Sequence, residues 1–180
     1  TVTNPPATEP ISAPKARLNP DRILSPTELA TLVQQLETHP APRPVIQSCL
    51  DALILETHIG VRAGELFSLT WNDVDLQAGI LLSIASKKTR RTYPPKPLPQ
   101  WQVDRLQNRR NQVRGERMFP HAVPYLYSEC RRILTNLGYE DMSIHTLRKT
   151  VGSIIFDTYG ARAASAWLAH ANVQTTISYY

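Results

Sequence analysis

Residues 57–75 run Thr57-His58-Ile59-Gly60-Val61-Arg62-Ala63-Gly64-Glu65-Leu66-Phe67-Ser68-Leu69-Thr70-Trp71-Asn72-Asp73-Val74-Asp75. Just upstream, Ile46, Cys49, Leu50, Leu53 and Ile54 recur at helical spacing in a run with few charges, which predicts a largely buried helix ending near Gly60. A charged residue, Arg62, follows that helix at once, and Glu65 stands three positions on. A short third helix is predicted from Ala63 to about Leu69, while Asn72-Asp73 and Gln77-Ala78-Gly79 read as turns. A buried helix thus delivers an arginine to a turn.

Downstream, Gly79 to Ala85 (GILLSIA) is short, apolar and bounded by turn signals, which suits a strand, and Thr92 to Leu98 is predicted to return antiparallel to it. Prolines at 94, 95, 97 and 99 make the second strand short and confine it to a sheet edge, because proline donates no ladder hydrogen bond. Between the two sits a basic tip, Lys87-Lys88-Thr89-Arg90-Arg91. Helical patterning resumes at about 101–113, at 124–137 closed by Gly138, at 145–159 closed by Gly160 and at 161–169, with a short last helix over Thr175–Tyr180. Upstream, Ser25-Pro26-Thr27-Glu28 joins an N-cap, a first-turn proline and a capping-box glutamate, and Leu29, Leu32, Val33 and Leu36 follow at helical spacing. Residues 1–22 hold five prolines and almost no large apolar residue, so a linker or arm is expected there and a folded unit over 23–180. The expected fold class is mainly α with a small antiparallel β-sheet (α+β).

A chain of 180 residues, 42% of them hydrophobic, suits one ordinary domain and is too short for two full-sized ones. Lys+Arg 20 against Asp+Glu 15 gives a net charge of +5, a mild bias toward a polyanion such as DNA. Cys49 and Cys130 lie far apart with no Cys-x-x-Cys or histidine-rich spacing, which argues against structural zinc and fits a reducing cytoplasm. No apolar run approaches the roughly 20 residues of a membrane span, and the first residues are not a signal peptide, so a soluble cytoplasmic protein with no membrane partner is expected.

Several polar groups could carry chemistry, and each alone has an ordinary explanation. Arg62 and Glu65 could be a surface pair on a helix. His145 and Arg148 in SIHTLRKT share one helix face, as residues three apart do. His170 in WLAHANVQTTISYY could cap or pack a helix end, Tyr179 and Tyr180 could serve packing, and the hairpin lysines could be solvated. Taken as a set and in order, they resemble the tyrosine site-specific recombinases of the phage integrase family.

That family's first arginine box typically reads Thr-Gly-x-Arg-x-x-Glu-Leu and then Leu-x-Trp-x-Asp-Val/Ile-Asp, matched by Gly60-Val61-Arg62-Ala63-Gly64-Glu65-Leu66 and Leu69-Thr70-Trp71-Asn72-Asp73-Val74-Asp75. The second, His-x-Leu-Arg-x-Thr, is His145-Thr146-Leu147-Arg148-Lys149-Thr150. The third, Leu-Gly-His followed by Thr-Thr and a tyrosine, is Leu168-Ala169-His170 through Thr175-Thr176-Ile177-Ser178-Tyr179. Ala169 replaces the usual glycine, and His58 and Ile59 stand between Thr57 and Gly60, where the family's Thr-Gly pair is adjacent.

The resemblance implies a tyrosine recombinase catalytic-domain fold over about Ser25 to Tyr180, acting on double-stranded DNA without ATP, metal or other cofactor. Arg62 and Arg148 would clamp the scissile phosphate with His170 as a further donor, because guanidiniums are permanently charged and present parallel N–H groups. Tyr179 would be the nucleophile, favoured over Tyr180 by its nine-residue step from His170. His145 would accept its proton, and Lys87 or Lys88 would protonate the leaving 5′ oxygen; spacing does not choose between them. Glu65 would orient Arg62 or a histidine, and Arg90, Arg91 and Lys149 would contact DNA. The resemblance further implies an upstream DNA-binding domain, a C-terminal segment past Tyr180, and other subunits in a tetrameric synapse. Two rival outcomes on the same scaffold are a catalytically silent DNA-binding protein and strand relaxation of the type IB topoisomerase kind.

Overall fold

Helix α2 (Pro44–Ile59) is apolar on nearly every side and is the axis of the domain; a helix hydrophobic all round belongs inside. The computed structural model describes residues 22–86 and 91–179, so the expected linker lies outside the described residues but for its last position, as do Lys87, Lys88, Thr89, Arg90 and Tyr180. Around α2 pack α1 (Pro26–Thr38), α4 (Gln100–Gln112), α5 (Val123–Asn136) and α6 (Ile144–Trp167). Leu50, Leu53 and Ile54 of α2 meet Leu32 and Leu36 of α1, Leu126 and Ile133 of α5, and Leu147 of α6 in one buried cluster. Each such side chain contributes about 1.5–3 kcal/mol by leaving water.

Local chemistry sets the helix ends. Ser25 and Glu28 form the predicted capping box, with the Glu28 carboxylate accepting from the Ser25 amide at 2.8 Å. Gly60 closes α2 in the left-handed conformation at φ 60°, and its bare Cα lets the chain approach α6: a Cβ there would stand 2.9 Å from Val151 Cγ1. Gly160 (φ 82°, ψ 173°) breaks α6 at the predicted boundary, so its second part, residues 161–167, takes a new direction.

Three elements differ from expectation. Helix α3 spans only Ala63–Leu66, because the next residues leave it to pair with a later loop: the Met118 amide donates to the Leu69 carbonyl at 2.9 Å and the Trp71 amide to that of Glu116 at 2.9 Å. The sheet has three strands, ordered β1 (Val74–Asp75), β2 (Ile80–Leu81), β3 (Lys96–Pro97), all antiparallel, where two were expected. The turn residues Asp75, Gln77 and Ala78 fold the chain back tightly enough for Val74 to pair with Leu81. Beyond β2 the hairpin continues as an Ala85–Thr92 bridge and a Ser86 amide bond to the Arg91 carbonyl at 2.7 Å. The last helix, α7 (Val173–Tyr179), begins two residues earlier than expected, behind Asn172, whose side chain accepts from the Gln174 amide at 2.9 Å.

Candidate functional site

Arg62 is the residue on which α3 starts, placed there by the Gly60 turn, and it is half-buried. Its Nη1 donates to Ser86 Oγ at 3.0 Å and to the Tyr93 phenol oxygen at 3.1 Å. Ser86 Oγ in turn donates to Glu65 Oε1 at 3.1 Å. Glu65 is therefore no surface partner of Arg62: it is buried and reaches the arginine through a serine on the hairpin.

Arg148 projects from the second turn of α6 and is 4% exposed. Its Nη1 donates to the Gly60 carbonyl at 2.7 Å and to Tyr93 Oη at 3.1 Å, and its Nη2 donates to the Leu168 carbonyl at 2.7 Å. One guanidinium thus ties together the end of α2, the hairpin and the end of α6. Burial, and then the charge of Arg62, pulls its pKa below the usual arginine value, while the Tyr93 contact raises it.

The Leu168 carbonyl belongs to the turn that carries His170. The Ala169 amide donates to the Ala166 carbonyl at 3.1 Å and the His170 amide to that of Ser165 at 2.9 Å, the paired bonds that close a helix through a left-handed residue. That residue is Ala169 at φ 49°, and among the described residues no other non-glycine has positive φ. The turn aims His170 at α7, where Nδ1 meets the buried Thr176 hydroxyl at 2.8 Å. Burial and the positive charges of Arg148 and Arg62 bring the His170 pKa down to about 4. Three of the predicted residues, Arg62, Arg148 and His170, therefore meet in one place. Tyr179 is the final residue of α7, the helix that Thr176 holds against His170.

His145 is the exposed residue of the otherwise buried first turn of α6, one turn before Arg148, with half-buried Lys149 beside that arginine. Arg91 is exposed where the described part of the hairpin resumes, while Lys87, Lys88 and Arg90 fall outside it.

The sequence reading missed several supporting groups. Tyr93 is fully buried and accepts from both arginines. Lys96, on the predicted edge strand, is also fully buried; its amine donates to the Trp167 carbonyl at 2.7 Å and lies 3.8 Å from the centroid of that indole. Burial lowers the Lys96 pKa to about 6, offset in part by Glu56, whose own carboxyl burial pushes well up. Glu56 alone had a signal, as the one carboxylate in the apolar run Leu53-Ile54-Leu55-Glu56.

Residues 22–180 match the model of the phage integrase family. The chain belongs to that family. Solved structures with the same fold include the XerA recombinase (22% identity, TM-score 0.70, covering 88% of this chain and 59% of that one). The XerH site-specific recombinase bound to its difH substrate in a pre-cleavage complex gives 18% identity, TM-score 0.75, 88% and 50%. A lambda integrase dimer bound to a COC′ core site gives 18%, 0.65, 87% and 47%. The mainly helical domain with its small antiparallel sheet is thus the fold of tyrosine recombinase catalytic domains. This integrase-family chain spans between 47% and 59% of the length of these three structures. No curated protein matches the sequence. Among the described residues no helix is long and apolar enough to cross a membrane.

Proposed function

We propose that this domain cleaves and rejoins DNA at specific sites through a covalent link between Tyr179 and a 3′ phosphate. The observation that carries the reading is the meeting of Arg62 and Arg148 at one phenol oxygen, 3.1 Å from each, with His170 alongside and α7 leading to Tyr179. Such a cluster of fixed positive charge suits a phosphate whose non-bridging oxygens gain charge as phosphorus becomes five-coordinate.

In the proposed step the Tyr179 phenolate oxygen bonds to phosphorus and the bond from phosphorus to the 5′ oxygen breaks. A free phenol has a pKa of about 10 and is a poor nucleophile at neutral pH, so it must lose its proton. His145, exposed on the first turn of α6, takes the proton; Lys87 or Lys88 supplies one to the 5′ oxygen. His170 is neutral at pH 7 and contributes a hydrogen bond, not a charge. If the Thr176 hydroxyl donates to Nδ1, the imidazole proton resides on Nε2 and is available to a phosphate oxygen. Glu65 holds Arg62 through Ser86. Arg90, Arg91 and Lys149 contribute to DNA contact. A 5′ hydroxyl from a second duplex then attacks the phosphotyrosine, so the phosphodiester energy is kept and no ATP, metal or other cofactor is required. The partners are double-stranded DNA and further subunits in a tetrameric synapse, in the cytoplasm of a bacterial host. The XerH and lambda integrase structures, which hold DNA, support DNA as the partner.

The test is covalent trapping. The full-length protein and its Tyr179→Phe and Tyr180→Phe variants are mixed with nicked duplexes spanning the junctions of the genetic element that encodes it and run on denaturing gels. A DNA adduct lost only in Tyr179→Phe, with DNA affinity retained, supports the reading. DNA binding without an adduct for any protein would instead indicate a silent DNA-binding module.

A further inference from the structure

Both legs of the hairpin grip the same arginine. Ser86, on the outgoing leg, directly precedes Lys87, and Tyr93, on the returning leg, is locked to the outgoing one by its amide bond to the Ile84 carbonyl at 2.8 Å. Ser86 Oγ and Tyr93 Oη each accept from Arg62 Nη1, and Tyr93 Oη also accepts from the Arg62 amide at 3.3 Å. The same oxygen takes Arg148 Nη1 at 3.1 Å, and the Arg148 guanidinium stands 5.8 Å from the Tyr93 ring centroid.

Two guanidiniums side by side repel, and Arg148 is too buried for water to screen it. An acceptor shared between them offsets part of that repulsion and fixes their separation. No water can do this in place of Tyr93, whose side chain is fully enclosed. Phenylalanine would fill the same space and leave N–H groups of both arginines without this partner.

We propose that Tyr93 is a positioning residue for the arginine pair, its phenol oxygen setting the spacing of Arg62 and Arg148 and coupling that spacing to the two legs of the hairpin. The proposal rests on the recombinase reading for its consequence in catalysis, but its geometric content is independent of it. Tyr93 does not touch the reacting atoms; it acts through the two arginines.

Two measurements test it. In the full chain, the guanidinium Nη–Hη signals of Arg62 and Arg148, the groups that meet Tyr93 and Ser86, are followed by nitrogen-15 NMR in the unmodified protein, in Tyr93→Phe and in Ser86→Ala. The expected result is faster hydrogen exchange at both arginines in Tyr93→Phe and at Arg62 alone in Ser86→Ala, with Arg105 and Arg109 unchanged. Unchanged exchange at Arg62 and Arg148 in folded Tyr93→Phe overturns the proposal, whether or not the protein cleaves DNA.

The second measurement is the rate of adduct formation on a nicked junction duplex, with the scissile position either a phosphate or a methylphosphonate. Tyr93→Phe should slow the phosphate reaction about 10–100-fold, the scale of a misplaced catalytic group, with DNA affinity within about threefold. On the methylphosphonate, whose lost charge lessens the need for a well-spaced pair, the defect should shrink below about tenfold. An equal defect on both substrates, or none, contradicts the positioning role. An absence of adduct in the unmodified protein counts against the recombinase reading and leaves the NMR result to decide on Tyr93.

Discussion

The imidazole of His170 is held neutral at physiological pH by burial and by two neighbouring arginines. Its folded pKa of about 4 lies below the ordinary 6.5, so between those values the unfolded chain binds the proton that the folded one refuses. This contribution to stability is absent above pH 6.5 and turns unfavourable as pH falls through the window toward 4. A carbon-proton NMR titration of His170 should show a midpoint below pH 5; a midpoint near 6.5 would mean that the ring is neither buried nor faced by the arginines. One residue earlier, Ala169 spends φ 49° in a region where an L side chain costs about 1–2 kcal/mol. Ala169→Gly should relieve that strain, less about 0.4–1 kcal/mol of extra unfolded-state entropy. A net stabilisation of up to about 1.5 kcal/mol is expected in a denaturant titration, and a loss above about 1 kcal/mol would contradict the strain account.

At the scale of elements, the end of α2 is the joint on which the site turns. Gly60→Ala would put a methyl group into a left-handed residue and 2.9 Å from Val151 Cγ1, while the Gly60 carbonyl is what Arg148 Nη1 grips at 2.7 Å. The change should cost about 2–3 kcal/mol, strain and overpacking together, and slow adduct formation more than Ala169→Gly does; equal stability would sink this view of the joint. Helices α2 and α4 are joined by a second device, Asp51 in α2, which accepts from Arg109 Nη1 and Arg105 Nε, each at 2.7 Å. Arg109 is 3% exposed, so Asp51→Ala leaves a buried guanidinium without its counter-charge and should cost about 3–5 kcal/mol in chemical unfolding. A cost under about 1 kcal/mol would mean that the pair is incidental.

Across the whole molecule, what could be read in advance was what neighbours in sequence decide. The Ser25–Glu28 box, the Gly60 stop and the Gly160 break depend on a few adjacent residues, and each appears where its signal stands. Arg62, Arg148 and His170 were legible because boxes of residues travel with them, and the fold brings all three together. Tyr93 meets partners 31 and 55 residues away, and no local pattern foretells that. Lys96 went unnoticed for the same reason: its strand lies at the sheet edge as expected, but Trp167 of α6 covers it. Two-residue β1 was hidden because turn residues on both sides outweigh so short a pairing.

The central claim is that α7 presents Tyr179 to a phosphate held by Arg62, Arg148 and His170. Its most direct test is to trap the protein on a nicked junction duplex, digest both components and locate the nucleotide-bearing peptide by mass spectrometry. The account predicts a 3′-phosphonucleotide on Tyr179. The same adduct on Tyr180 or on any other residue would contradict it.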